Sequence, residues 1–123
     1  MRKLILMTVI SVAGMVALVA CSAQDSNDTA QVSETVETAK VHVYGNCEMC
    51  KERIEEAANS LQGVETAVWG VETKILTVSF DTTETSLKQI EEKIANFGHD
   101  TENVKATEEV YEKLPGCCQY TRS

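Results

Sequence analysis

Hydrophobic positions between residues 40 and 108 change their spacing along the chain in a way that predicts alternating strands and helices. The segment "KVHVYG" alternates, which places Val41 and Val43 on one face of a short strand. Over residues 48–60 the apolar positions recur three and four residues apart, as on one face of a helix that ends before Gly63. That face consists of Ile54, Ala57, Ala58 and Leu61. A strand followed by a helix is therefore expected at the start of the folded unit.

The following residues predict a β-hairpin and then a second helix. Residues 64–69 and "KILTVSF" read as two strands joined by a turn at residues 70–73. Ser86 and Gln89 form a capping-box pattern, and an apolar stripe then runs up to Gly98 through Leu87, Ile90, Ile94 and Phe97. A last, weaker strand is predicted over residues 101–106. The order βαββαβ predicts an α+β, ferredoxin-like two-layer sandwich with a four-stranded antiparallel sheet and both helices on one face.

The first residues have the pattern of a targeting segment. A basic start at Arg2 and Lys3 precedes an uncharged, mostly apolar run over residues 4–20, typical of a secretory signal. A membrane anchor is the competing interpretation, since a span takes about 17–25 residues. The stretch "LVAC" resembles a bacterial lipobox, which predicts a signal peptide at residues 1–20 and a lipid on Cys21. Ser22 then favours the outer membrane, on the periplasmic side of the envelope. An ordinary signal peptide with an incidental Cys21 is the alternative.

Composition and charge narrow the class of partner. Residues 21–39 are polar and predict a flexible tether between the lipid and a single domain at residues 40–108. The 123 residues carry a formal net charge of −8. Such a chain repels phosphates, which argues against nucleic acid, and it suits a partner with a basic docking face. We expect a monomer.

The segment "GNCEMC" carries the main candidate chemistry. Cys47 falls in the loop after the first strand, and Cys50 falls in the first turn of the helix. The free N–H groups of a helix start favour thiolates, which serve both as metal ligands and as nucleophiles. A metal clamp, a thiol–disulfide pair and a structural disulfide therefore stay open. The one proline is Pro115 near the C-terminus, so the proline that faces a thioredoxin-type pair has no counterpart.

This Cys-x-x-Cys at the first strand-to-helix junction of a βαββαβ chain resembles the heavy-metal-associated domain. That family includes copper chaperones, modules of copper-pumping ATPases and the periplasmic mercury-binding protein. The resemblance implies that Cys47 and Cys50 bind a soft ion for transfer or detoxification, without catalysis. Two thiolates suit Cu(I) first, with Hg(II), Ag(I) and Zn(II) as alternatives. The resemblance also implies a metal-transporting ATPase, or an efflux or acceptor protein, as partner.

The loop departs from the usual family pattern, in which Gly-Met-Thr precedes the first cysteine. Tyr44, Gly45 and Asn46 stand there in this chain. Gly45 cannot pack beneath the loop as the family methionine does, so Tyr44 or Met49 is expected to fill that place. Asn46 is expected to hydrogen-bond near the helix start, as the family threonine does.

Three further residues are candidate auxiliary ligands. His99, in "FGHD", lies in a loop that the resemblance places beside the loop carrying Cys47 and Cys50, called the metal loop. There it is a third ligand, a group that tunes the charge of the thiolates, or a solvated histidine. Residues 109–123, here called the tail, end in "LPGCCQYTRS". If the turn at Pro115 folds the tail back, Cys117 and Cys118 would complete a four-sulfur site suited to scavenging Zn(II) or Hg(II). The alternative is a mobile tail, and thiol–disulfide exchange remains the competing activity for the whole protein.

Overall fold

Three strands and two long helices build the part of the chain that the computed structural model describes, residues 35–123. The elements are β1 (Val36–His42), α1 (Glu48–Asn59), β2 (Val64–Trp69), β3 (Ile75–Asp81), α2 (Leu87–Asn96), α3 (Glu108–Glu112) and a 3-10 turn at Gly116–Cys118. The predicted signal peptide and the lipid on Cys21 lie outside the described residues. Within residues 35–123 no helix has the length and apolar character needed to cross a membrane.

The strands form one antiparallel sheet in the order β1-β3-β2. Along β3 the alternation predicted from the sequence is confirmed, because Leu76, Val78 and Phe80 are buried while the residues between them are partly exposed. The first strand begins at Val36 rather than at Lys40, so residues 36–39 pair with β3 instead of extending the tether. Residues 36–39 are therefore part of the sheet.

Both helices place their predicted apolar stripes in the core. In α1 the side chains of Ile54, Ala57 and Ala58 are buried, and in α2 those of Ile90 and Ile94 are buried. The second helix starts as predicted, since the Ser86 hydroxyl accepts a hydrogen bond from the Gln89 backbone N–H at 3.3 Å. The two-layer α+β arrangement is thus present in the described residues.

Residues 35–123 do not show the predicted fourth strand. Thr101 makes a single antiparallel bridge with Val43 and no strand follows. The Thr101 hydroxyl instead accepts hydrogen bonds from the backbone N–H groups of Asn103 and Val104, and the Asp100 carboxylate accepts one from Ala106. Side chains thus satisfy several backbone groups of this segment locally, and of its backbone N–H groups only that of Glu102 reaches β1, at the His42 carbonyl. Among residues 35–123 the sheet has three strands, and this bridge lies outside them.

The tail folds back onto the domain instead of extending into solvent. Leu114, Cys118 and Tyr120 are all less than 5% exposed and join the main core cluster. The Tyr120 hydroxyl donates to the Gly98 carbonyl at 2.9 Å and accepts from the Asp100 N–H at 2.7 Å. Both bonds are buried, so they favour one docked position of the tail over alternatives.

A charged contact fixes the end of the tail. The Arg122 guanidinium donates to both carboxylate oxygens of Asp100, at 3.0 and 2.8 Å, and to the Glu108 carboxylate at 2.8 Å. The same guanidinium lies 4.7 Å from the ring centroid of Tyr111. Since Asp100 is 3% exposed, this bidentate pair is shielded from water and ties the last residues to the loop after α2.

Candidate metal centre

The loop before Cys47 rests on a tryptophan. Trp69 is fully buried, and its indole N–H donates to the Val43 carbonyl at 3.1 Å. A Cβ placed on Gly45 would lie 3.1 Å from the Trp69 ring and 3.0 Å from the Cβ of Cys50. The expectation that Tyr44 or Met49 fills the space beneath the loop is therefore wrong. The indole of Trp69 fills it, and Gly45 allows the backbone to come that close.

The two cysteines of the loop lie side by side at the start of α1. Cys47 precedes the helix in an extended conformation and is half-buried, while Cys50 is fully buried in the first turn. Their sulfurs are 3.6 Å apart. The Cys47 sulfur accepts hydrogen bonds from the backbone N–H of Cys50, the Cys50 thiol and the backbone N–H of Met49. These bonds, with that of the Cys50 N–H contributing most, hold the pKa of Cys47 below its usual value. The helix start thus favours a thiolate at Cys47, as expected from the sequence.

The tail brings a third sulfur to this pair. The Sγ atoms of Cys47, Cys50 and Cys118 all lie within 4.8 Å of one another, and we call them the three-sulfur cluster. Cys118 is fully buried, and burial, reinforced by the Cys50 thiol, raises its pKa. A metal ion bound by this cluster has to displace the Cys118 proton. All four cysteines among residues 35–123 are free thiols.

Asn46 connects the metal loop to the tail. Its side-chain amide donates to the carbonyls of Cys117 and Gln119, each at 3.3 Å, on either side of Cys118. Its backbone N–H points at the Cys50 sulfur at 3.2 Å. The expected side-chain hydrogen bond to the helix start is absent, since no side chain caps α1. Asn46 therefore links the loop to the backbone on both sides of Cys118.

The adjacent cysteines of the tail face different environments. They lie in a 3-10 turn, whose three residues per turn send neighbouring side chains apart. Cys118 consequently points into the core, while Cys117 is exposed and its Sγ lies 3.8 Å from the Met49 Sδ. The structure thus brings one tail cysteine to the loop pair and leaves the other outside the three-sulfur cluster.

His99 is buried beneath the tail rather than solvated. It is fully buried, it stacks on Tyr120 with 5.8 Å between ring centroids, and its Nδ1 lies 2.8 Å from the Tyr44 carbonyl oxygen. Its Nε2 is buried without a hydrogen-bond partner. The three-sulfur cluster does not include it. The placement favours a structural role for His99, in holding the loop after α2 against the tail.

The burial of His99 predicts a pH dependence for the metal-free protein. Burial lowers the pKa of His99 below its usual 6.5, and the hydrogen bond to the Tyr44 carbonyl partly opposes this shift. The charge on Arg53 lowers the pKa further, and the charge on Asp100 raises it. The unfolded chain then binds more protons than the folded one as the pH falls below about 6.5, so the free energy of unfolding decreases there. Urea unfolding at about pH 7.5 and pH 5.5 should show this loss, and the loss should be smaller in His99→Gln. An equal loss in both proteins would contradict the expectation.

Sequence reasoning missed two residues that shape this centre, Trp69 and Tyr120, and it gave Asn46 a different partner. Trp69 and Tyr120 place the loop and the tail, and neither stands out by local pattern. Asn46 contacts the tail rather than the helix start. The signal that was available is Gly45, because a glycine replacing a packing residue indicates that a bulky neighbour takes its space. The pairing of Tyr120 with the loop after α2 leaves no comparable trace in the sequence.

Comparison with known proteins agrees with this geometry. The sequence model of the heavy-metal-associated domain matches residues 46–100. A copper-exporting P-type ATPase of Staphylococcus saprophyticus is 34% identical over 74 residues, which are 59% of this chain and 9% of the ATPase. The chain therefore spans a small part of that relative. The matched segment contains both Cys47 and Cys50, which supports a heavy-metal-associated domain with a Cys-x-x-Cys site.

Solved structures show the same similarity. The CopZ metallochaperone has a TM-score of 0.51 at 27% identity, covering 53% of this chain and 98% of that one. The N-terminal domain of a potential copper-translocating P-type ATPase from Bacillus subtilis, in its Cu(I)-loaded state, has a TM-score of 0.52 at 27% identity, covering 54% and 84%. The family match ends at residue 100, so the tail that supplies Cys118 lies beyond it.

Proposed function

We propose that this protein binds a soft heavy-metal ion, Cu(I) first, through Cys47 and Cys50, for transfer to a partner or for detoxification. The observation that carries the proposal is the three-sulfur cluster, in which Cys118 lies beside the loop pair. Thiolates at this separation can share one ion. The protein acts in this proposal as a carrier and not as an enzyme.

The donor set supports Cu(I) over the other ions. Soft thiolates favour Cu(I), which is satisfied by two or three ligands, whereas structural Zn(II) sites take four. Hg(II) and Ag(I) share the preference of Cu(I) for few sulfur ligands and are the main alternatives. A four-sulfur site for scavenging Zn(II) or Hg(II) is less favoured, because Cys117 faces solvent. The names of the similar proteins, a copper-exporting ATPase and a Cu(I)-loaded domain, support the same choice.

The exposure of the cluster suits transfer. Cys47 is half-buried while Cys50 and Cys118 are fully buried, so an acceptor thiolate can approach from the side of Cys47. A shared ion can then pass between proteins without entering water. We propose a metal-transporting ATPase, or another acceptor with a basic face, as partner, since the chain carries a formal charge of −8.

We further propose that the protein acts at the cell envelope. The support comes from the sequence, where a basic start, the apolar residues 4–20 and "LVAC" match a lipoprotein signal with Cys21 as the lipid-bearing residue. A lipid on Cys21 would hold the domain on the periplasmic side of the outer membrane. Labelling with a fatty-acid analogue, lost in Cys21→Ser, tests this part independently of metal binding.

Thiol–disulfide exchange is the second candidate function. The lowered pKa of Cys47 and the 3.6 Å between its sulfur and that of Cys50 also suit a dithiol that cycles with a disulfide. An insulin-reduction assay separates the two functions. A carrier shows no turnover in this assay, whereas an oxidoreductase does.

Serine substitutions in the tail test the role of the third sulfur. Cys118→Ser should weaken Cu(I) binding by at least the roughly 10–100-fold that loss of an outer-shell partner costs, because it removes a ligand of the ion. Cys117→Ser should leave the affinity for the first ion unchanged, since its sulfur lies outside the cluster. Anaerobic competition of the reduced protein with a Cu(I) chelator measures both constants.

Comparison of Cys117→Ser with Cys118→Ser distinguishes a three-thiolate site from a two-thiolate and a four-sulfur site. Equal affinity of Cys118→Ser and the unaltered protein would leave a two-thiolate site at the loop. Equal losses in Cys117→Ser and Cys118→Ser would instead favour the four-sulfur site. Parallel titrations with Zn(II) and Hg(II) show whether the order of preference follows the softness of the ion.

A further inference from the structure

We propose that Met49 and Cys117 form a second soft-metal site on the surface, through which Cu(I) passes to and from the three-sulfur cluster. This inference rests on the proposed function, because an exchange site serves a cluster that holds the ion. We call these two residues the surface pair. It is separate from the cluster, which contains neither residue.

The distance between the two sulfurs suits one shared ion. The Cys117 Sγ and the Met49 Sδ are 3.8 Å apart. Metal–sulfur bonds of about 2.3 Å, the length found for zinc thiolates, can bridge two sulfurs separated by up to about 4.6 Å. Thiolate and thioether are both soft ligands that select Cu(I). The pair thus provides a two-coordinate position without movement of the backbone.

Exposure makes the surface pair accessible. The Met49 side chain is 46% exposed, and Cys117 is exposed as well. Among the described residues only Met49 and Val68 are large hydrophobic side chains with such exposure. Val68 lies on the sheet, whereas Met49 lies between the two loop cysteines. An exposed thioether beside an exposed thiol is accessible to a partner's ligands, which the buried sulfurs are not.

The surface pair lies directly against the cluster. The Cys47 thiol donates to the Cys117 carbonyl at 3.7 Å, and the Asn46 amide fixes that carbonyl at 3.3 Å. Exposure then falls from Met49 and Cys117 through half-buried Cys47 to the buried sulfurs. An ion can follow this series of sulfurs from solvent to the interior.

The exchange step conserves charge and oxidation state. As Cu(I) passes from a donor ligand to the surface pair, the bond between the ion and that ligand breaks, Cys117 loses its thiol proton to solvent, and Cu–S bonds to Cys117 and Met49 form. Cys47 then loses its thiol proton to solvent as its sulfur bonds the ion, the bonds to Met49 and Cys117 break, and Cys117 takes up one proton from solvent. The metal remains Cu(I) throughout, so no oxidant or reductant is needed.

Titration of the full chain tests the surface pair. The reduced protein, in mild detergent and without oxygen, is titrated with Ag(I) as a redox-inert probe and then with Cu(I). We expect a first equivalent at the cluster and a weaker second equivalent that shifts the Met49 methyl resonance, which is identified by its absence in Met49→Leu. Met49→Leu and Cys117→Ser should each lose the second equivalent and retain the first.

A matched control tests whether proximity matters. The double variant Met49→Leu with Val68→Met keeps the number of thioethers but moves the exposed one from the start of α1 to strand β2. It should not regain the second equivalent. In Met49→Leu and Cys117→Ser, release of the first ion to a chelator should also be slower at unchanged affinity.

The outcomes separate this inference from the proposed function. A first equivalent without any second, together with unchanged release rates in the variants, would overturn the surface pair alone. A second equivalent that persists in Met49→Leu with Cys117→Ser would do the same, because the ion would then bind elsewhere. Absence of the first equivalent would overturn the proposed function.

Discussion

Serine at both Cys47 and Cys50 should abolish tight Cu(I) binding. These side chains supply two of the three sulfurs that lie within 4.8 Å of one another, and the remaining Cys118 is a buried thiol with a raised pKa. A single neutral thiol is a poor ligand, because thiolate is the form that binds metal. This double substitution should lower the Cu(I) affinity more than Cys118→Ser does.

Anaerobic titration with Cu(I) against a chelator measures this loss. The buried position of Cys50 makes its own replacement a risk to the fold, so circular dichroism should accompany the titration, and Cys47→Ser alone serves as the milder variant. Met49→Leu with Cys117→Ser is the matched control, since it alters two nearby sulfurs outside the cluster and should keep the first ion. If a folded protein with Cys47→Ser and Cys50→Ser still binds Cu(I) tightly, both the proposed carrier function and the alternative scavenging function are refuted.

Local sequence patterns were sufficient for most elements of the fold. The alternation in β3, the apolar stripe of α1 and the Ser86 cap of α2 each depend on residues a few positions apart. Because the hydrophobic period and the helix cap depend on residues within one element, they can be recognised without knowing the tertiary structure. The position of Cys47 and Cys50 at a helix start follows from the same local patterns.

The sequence did not predict two features, the local bonding of residues 101–106 and the burial of Cys118. In place of the weak strand predicted over residues 101–106, the Thr101 hydroxyl and the Asp100 carboxylate accept local backbone hydrogen bonds. Burial of Cys118 depends on Tyr120 meeting Gly98 and Asp100, about twenty residues earlier in the chain. No local pattern specifies such pairings, so the sequence alone allows both a docked and a mobile tail.

The tail changes what the metal loop can do. In the segment that matches the heavy-metal-associated domain, residues 46–100, the loop offers two cysteines. The docked tail adds a buried sulfur at the cluster and an exposed one beside Met49. In the proposed function the third ligand would strengthen retention of the ion, and the exposed ligand would ease its exchange. The adjacent cysteines would then divide two tasks that a two-cysteine loop has to combine.

Tyr120→Ala should release the tail and thereby weaken both folding and metal binding. The ring is 4% exposed, stacks on His99 and meets Tyr111 edge-on at 5.1 Å, and its hydroxyl makes two buried hydrogen bonds. Removal of a buried aromatic ring costs about 3–5 kcal/mol of the free energy of unfolding. Because Cys118 is two residues away, we expect Cu(I) affinity to fall to the level of Cys118→Ser.

Tyr120→Phe provides the matched control for that substitution. It keeps the ring and its packing but leaves the Asp100 N–H and the Gly98 carbonyl without their partner, which costs about 1–3 kcal/mol for a buried donor. The tail should stay docked, so Cu(I) affinity should remain close to that of the unaltered protein. Urea unfolding of the metal-free protein and chelator competition measure the two effects separately. If Tyr120→Ala loses stability but keeps full Cu(I) affinity, the docked tail does not hold Cys118 at the metal, and the ion is bound by the loop cysteines alone.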